Sequence, residues 1–170
     1  NYAAYVSASD KMRFEKGVRH DTSLDPRGYP RFAIKPPGER REYFVLVYLA
    51  PMTGYEYAFG LDLGANPAAA NPQALVTALH SGRDSGKLIA SGQPLRVKKV
   101  TRESIYLAMR LAVYRTGMPI DTIENRRSAY LGSVGAGFDI ENIMRDVLDE
   151  KMLRYMRFRV QDAGPADAPP

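Results

Sequence analysis

The segment Tyr57-Ala-Phe-Gly-Leu-Asp62-Leu-Gly64 sets one carboxylate among apolar residues and glycines. An ionised carboxylate in such surroundings is costly unless it accepts hydrogen bonds, and a planar ligand with two adjacent N–H donors would satisfy both oxygens. An aspartate here can equally cap the loop before the Asn66 turn. Tyr57 and Phe59 alternate with Ala58 and Gly60, so one side of the segment presents aromatic rings, which ordinarily fill a core. Other groups fall short of a reaction. Gly82-Arg-Asp-Ser-Gly86-Lys87-Leu88 has one residue too few between its glycines for a phosphate loop, and no hydroxyl residue follows the lysine to bind magnesium. Gly132, Gly135 and Gly137 lack the dinucleotide spacing and lie in an alternating run instead of on a strand-to-helix turn. There is no Gly-x-Ser-x-Gly elbow, and Asp149-Glu150 reads as solvated charge on a polar helix face. With no cysteine, and with histidines as far apart as His20 and His80, no metal or other cofactor is expected.

Composition bounds what must position these residues. A chain of 170 residues with 45% hydrophobic and 25% charged residues suits one globular domain with a real core. The net charge of +5 is modest, and the basic clusters at residues 96–102, 126–127 and 154–159 read as solvated faces. Nucleic acid is not an expected partner; weak attraction to anionic lipid headgroups fits better. No window approaches the roughly 18 apolar residues of a membrane span, and no secretory leader pattern opens the chain.

Residues 9–20 predict a helix, with Ser9 as N-cap and Phe14 and Val18 on one face. Residues 31–35 alternate until Pro36-Pro-Gly38 stops them, a first short strand. Residues 42–49 form a continuous apolar run, a central strand, and residues 57–63 a shorter extended segment. Asn71-Pro72 opens a helix that fades by Ser81-Gly82. Three strands follow at 88–91, 95–101 and 104–114. The last places Ile105, Leu107, Met109, Leu111 and Val113 on one face and Tyr106, Ala108, Arg110, Ala112 and Tyr114 on the other. A short helix at 121–128 leads to a strand at 130–139, whose glycines imply close approach of a backbone or a ligand. From Asp139, an N-cap, Ile140, Ile143, Met144, Val147 and Leu148 fall on one face of a helix reaching residue 152. Residues 155–160 could add one strand. This order suits an α+β domain, an antiparallel sheet with flanking helices.

Read with Ala74-Leu-Val-Thr-Ala-Leu-His-Ser-Gly82, Gly86-Lys87, Leu111-Ala-Val-Tyr-Arg-Thr-Gly-Met-Pro119 and Leu131-Gly-Ser-Val-Gly-Ala-Gly-Phe-Asp-Ile-Glu-Asn-Ile143, the opening segment resembles the CHASE domain. That family is an extracytoplasmic sensing module of bacterial signalling enzymes and plant cytokinin receptors. The resemblance implies a PAS-like antiparallel sheet whose helices enclose a pocket for an unidentified small molecule. It implies a sensor over residues 1–152, the opening strand of a truncated second module at 153–162, and a flexible tail at 163–170. The stalk helix that normally precedes this region is almost entirely missing, and the membrane anchors would lie in flanking segments outside the chain. The expected setting is the periplasmic part of an inner-membrane protein, a homodimer. Its output would be a diguanylate cyclase with GGDEF, a phosphodiesterase with EAL, or a histidine kinase, so this chain itself is not an enzyme. By the same resemblance, Asp62 stands where cytokinin receptors bind the adenine ring. Leu88 and Ala90 match a strand whose backbone meets the ligand, and Leu107, Met109 and Leu111 the pocket floor, with Tyr57 and Phe59 as flanking rings. Ala112 replaces the proline that usually precedes the Val-Tyr pair, which bears on the local bend. The rival reading is a ligand-free dimerisation or protein-interaction module that associates through the N-terminal helix.

Overall fold

Alternation and helical period account for most of the elements in the computed structural model, which describes residues 1–67, 69, 71–90, 95–98 and 103–148. Six strands, β1 (Tyr2–Ser7), β2 (Glu42–Tyr48), β3 (Ile89–Ala90), β4 (Leu95–Lys98), β5 (Glu103–Tyr114) and β6 (Tyr130–Asp139), form one antiparallel sheet. Their order is β2-β1-β6-β5-β3, and β4 also pairs with β5. Four α-helices accompany them: α1 (Lys11–Arg19), α2 (Pro72–Ser85), α3 (Ile123–Ala129) and α4 (Ile140–Val147). The α+β class and the PAS-like sheet are those that the element order and the resemblance predict. The strand expected at 155–160, the basic run at 154–159, the second-module start at 153–162 and the tail at 163–170 lie outside the described residues.

The sheet carries a hydrophobic layer on each face. On one, Ala3, Phe44, Leu46 and Tyr130 pack with Leu75 and Leu79 of α2, and Tyr5, Ala112 and Tyr114 join them. On the other, Ala4, Val6, Tyr43 and Val45 pack with Phe32 and Ile34, with Phe14 and Val18 of α1 and Phe59 alongside. Tyr48, Tyr2, Val134 and Leu111 stand at one level across four strands. Beyond that level β5 and β6 continue without β1 and β2, so their far halves project past the main core.

Capping residues mark several helix boundaries. Asn71 accepts from the Ala74 N–H at 3.0 Å with Pro72 at the first helical position, and Asp139 accepts from the Asn142 N–H at 3.3 Å. The α2 helix does not fade at Gly82 but runs to Ser85, where Gly86 closes it in the left-handed conformation. Gly82 sits inside the helix because β3 lies against it: a Cβ there would come within 3.2 Å of the Ile89 side chain. The first helix also differs from expectation. Ser9 lies within a 3-10 turn, Ala8–Asp10, and does not cap; instead the Ser7 hydroxyl donates to Asp10 Oδ2 at 2.7 Å.

One stretch takes a different backbone state from the one its pattern predicts, and another holds a strand that the pattern does not announce. Residues 31–35 alternate as expected, with Phe32 and Ile34 buried and Ala33 exposed, yet they form no strand. Their N–H groups go elsewhere: Phe32 to the Tyr29 carbonyl, Ile34 to Glu15 Oε1 and Lys35 to the Gly60 carbonyl. The segment is an irregular strap laid over one sheet face. Conversely, Tyr2–Ser7, which carries two alanines and is given no element by the sequence pattern, pairs on both sides, with β2 and β6. A strand central to a two-layered core is specified by its neighbours more than by its own propensity.

Tyr130 gives this core a pH dependence. Burial pushes its phenol up to about 12, with a hydrogen bond to Ser133 and nearby Arg110 opposing. An unfolded tyrosine ionises near its ordinary value of 10.0, so the stabilising difference is present below that pH and is lost as pH rises toward about 12. Denaturant melts across this window are expected to show stability falling, and Tyr130→Phe is expected to flatten the fall. Tyr2, Tyr5 and Tyr114, also raised by burial, supply the remaining slope.

Candidate functional site

Asp62 lies against the outer edge of β2. Residues 60–62 follow that edge: Gly60 donates to the Leu46 carbonyl, Leu46 donates to the Leu61 carbonyl, and Val45 and Asp62 form an antiparallel bridge. The carboxylate is 1% exposed. Its Oδ1 accepts from the Phe44 N–H at 2.9 Å and from the Gly64 N–H at 3.1 Å, the second bond capping the 3-10 turn Leu63–Ala65. Arg40 Nε stands 2.8 Å from Oδ2. Neither of those two buried atoms makes an aligned hydrogen bond, so the contact is one of charge. Arg40 is itself held by the Pro36 carbonyl at 2.6 Å and by the Tyr43 ring, 5.0 Å away at its centroid. Both oxygens of Asp62 are therefore occupied by the chain's own groups, the capping arrangement that the sequence left open beside ligand contact.

The other residues singled out from the sequence fall in separate places. Phe59 packs on Tyr29 and Phe32, with ring centroids 4.7 and 5.1 Å away, inside the α1-side layer. Tyr57 is 55% exposed and leans toward Tyr55, 6.4 Å between centroids. Leu88 is exposed just before β3, and Ala90 pairs with Met109. Leu107, Met109 and Leu111 lie on the sheet face away from α2, in register with Phe138, Ala136 and Val134. Thus β3 and β5 bring five of the eight together, while Asp62 and Phe59 lie at the opposite edge of the sheet, beyond β6 and β1.

The α2-side face of the projecting β5–β6 arm holds groups that strand alternation alone did not single out. Here Tyr106, Ala108 and Arg110 stand in register with Asp139, Gly137 and Gly135. The Tyr106 hydroxyl lies 3.4 Å from that of Tyr55, which brings the loop after β2 across to this arm. Arg110 is 6% exposed. Its Nε donates to Ser133 Oγ at 2.8 Å, Nη2 to the Ser133 carbonyl at 2.8 Å and Nη1 to Asn1 Oδ1 at 2.9 Å. No carboxylate among the described residues pairs with it, and burial lowers its pKa to about 10. Gly135 makes room for this side chain, since a Cβ there would lie 2.6 Å from Nη1. The available signal was an arginine between two alanines on a face that otherwise packs inward.

Electrostatics elsewhere join helices. The two carboxylate oxygens of Asp84 accept from Arg127 Nε and Nη2 at 3.0 and 2.6 Å, and Arg83 Nε reaches Oδ1 at 2.7 Å. These bonds hold the Asp84 carboxyl well below the usual range. Arg126 donates to the Asp84 carbonyl at 2.6 Å, so the basic pair Arg126-Arg127 clamps the C-terminal end of α2, where cations are favoured. Among the described residues no helix is long and apolar enough to cross a membrane.

The comparison with known families agrees with this architecture. The family model of the CHASE domain matches residues 1–170, the whole chain. Among curated proteins nothing matches. The antiparallel sheet and its flanking helices lie within the matched residues: the chain belongs to the CHASE domain family, extracellular sensory domains of signalling proteins.

Proposed function

We propose that this chain is the ligand-sensing input domain of a membrane-bound signalling protein and that it faces the periplasm. The observation that carries this reading is the α2-side face of the β5–β6 arm. There a buried cation, two tyrosines and a floor of alanine and glycine adjoin a strand that leads directly into α4. Small residues on a sheet leave space for a ligand, and convergent polar groups orient it. Family membership favours a diguanylate cyclase or phosphodiesterase, or a histidine kinase, as the output. The ligand shifts a conformational equilibrium only by its differential affinity for two states, about 1.4 kcal/mol per tenfold. The levers are the N-terminal elements, tied to β6 through β1, and α4, which continues β6 without a connecting loop. In a thermal-shift screen of a metabolite library that includes amino acids and adenine derivatives, at least one compound class is expected to raise Tm in proportion to the logarithm of its concentration. Absence of any shift would defeat the reading.

A second reading has its own support. Ile105, Leu111, Val134 and Phe138 are exposed on the sheet face away from α2, and Ile143 and Val147 of α4 are exposed as well. Contiguous apolar surface of this kind marks association sites. A homodimer through that face, with no bound small molecule, is the alternative: a dimer that Val134→Lys dissociates in sedimentation equilibrium, together with no library compound that raises Tm, is the result that favours it.

A further inference from the structure

We propose that Arg110 anchors the carboxylate of a small organic acid on the α2-side face of β5 and β6; this rests on the sensing reading above and names the ligand class. A guanidinium carries five N–H donors, and the three bonds to Ser133 and Asn1 use three of them. One donor on each terminal nitrogen remains to meet a carboxylate. All three partners are neutral acceptors, and no acid among the described residues pairs with the side chain. Burying a cation without a counter-charge is unfavourable, and a bound anion removes that penalty.

The surroundings favour an organic acid over a bare ion. Arg110 lies across Gly135, with the Cζ and Nη1 atoms 2.8 and 2.6 Å from where a Cβ would stand. Next along the same face, Ala108 and Gly137 add at most a methyl group, and the Tyr106 ring follows, with Cδ1 3.4 Å from a Gly137 Cβ position. The order along the arm is cation, small floor, aromatic ring, with the Tyr55 and Tyr106 hydroxyls meeting at the far end. An acid head at Arg110 puts an apolar body over the small residues and against the ring. The same site couples to both proposed levers, because Arg110 touches β1 through Asn1 and β6 through Ser133.

The test titrates the domain with acetate, succinate, glutarate, benzoate and phenylacetate, each beside its neutral amide, and with inorganic phosphate. Binding is read by calorimetry and by the NMR resonance of the Arg110 Nε–H. At least one organic acid is expected to bind about tenfold or more tightly than its amide and to move that resonance. Arg110→Gln is expected to bring acid and amide within about twofold, and Arg110→Lys, which keeps the charge but loses the fork, to give an intermediate ratio. Should Arg110→Gln not fold, the wild-type acid-to-amide ratio and the Nε–H shift decide the matter. Equal binding of acids and amides, acid binding that persists in Arg110→Gln, or a response to phosphate alone would overturn the assignment. Neutral library compounds that raise Tm while no acid binds would leave the sensing reading standing and remove the carboxylate. Silence from acids and library alike would remove both.

Discussion

Gly132→Val yields a chain that does not reach the native fold, and Gly132→Ala loses about 4 kcal/mol or more of stability. At this point β6 passes β1 so closely that a Cβ on residue 132 would stand 2.1 Å from the Ala3 carbonyl oxygen and 3.0 Å from Ala4 Cα. Both neighbours are backbone of a central strand, so neither can step aside without breaking the ladder to β2. The conformation adds to the cost, since φ is +148°, a value that L side chains rarely adopt. Typical domains hold about 5–15 kcal/mol in total, so this one substitution removes a large part of the reserve. Gly17→Ala is the matched control. Nothing lies within 4 Å of its Cβ position, it sits inside α1, and it is expected to gain about 0.5–1 kcal/mol. Circular dichroism melts of both variants check the contrast.

The second large effect is at Asp62. Asp62→Ala removes the acceptor of two backbone N–H groups, Phe44 and Gly64, and leaves Arg40 Nε buried without its counter-charge. Breaking a buried ion pair by deleting one partner costs about 3–5 kcal/mol. The lower end applies, because the Arg40 side chain keeps 25% exposure and can turn toward water. Asp62→Asn keeps an acceptor but loses the charge, so it is expected to fall between wild type and alanine. The signature of a structural carboxylate is a loss of Tm without ligand. Any ligand-induced increment in Tm is expected to persist in Asp62→Asn. An unchanged Tm combined with loss of the increment would instead make Asp62 the reader of the ligand.

How far these elements were legible in the residues depended on what each signal reports. Local signals were read well. The change of period at Asp139, the Asn71-Pro72 helix start and the alternation of β5 each depend on a few neighbouring residues, and each is present. The Phe32–Ile34 alternation correctly gave the buried side chains but not the backbone state, because alternation reports where side chains point and not which carbonyl each N–H meets. The alanines of β1 hid a central strand whose identity comes from its partners. Glycine spacing in β6 signalled close approach, and the structure divides that signal in two: backbone at Gly132, the Arg110 side chain at Gly135. The site was least legible. Asp62 and the β3–β5 residues are linked in the motif order but stand at opposite edges of the sheet, and sheet order is a long-range property that no local spacing encodes. Arg110 was visible only as one of five positions on one face of β5.

The placement of the ligand on the β5–β6 arm is tested most directly by amide NMR of the domain titrated with the first compound that raises Tm in the library screen. Shifts concentrated at Ala108, Arg110, Gly135 and Gly137, with Phe44, Asp62 and Gly64 unmoved, are the expected result. Shifts centred on Phe44, Asp62 and Gly64 instead, with the arm unchanged, would contradict it.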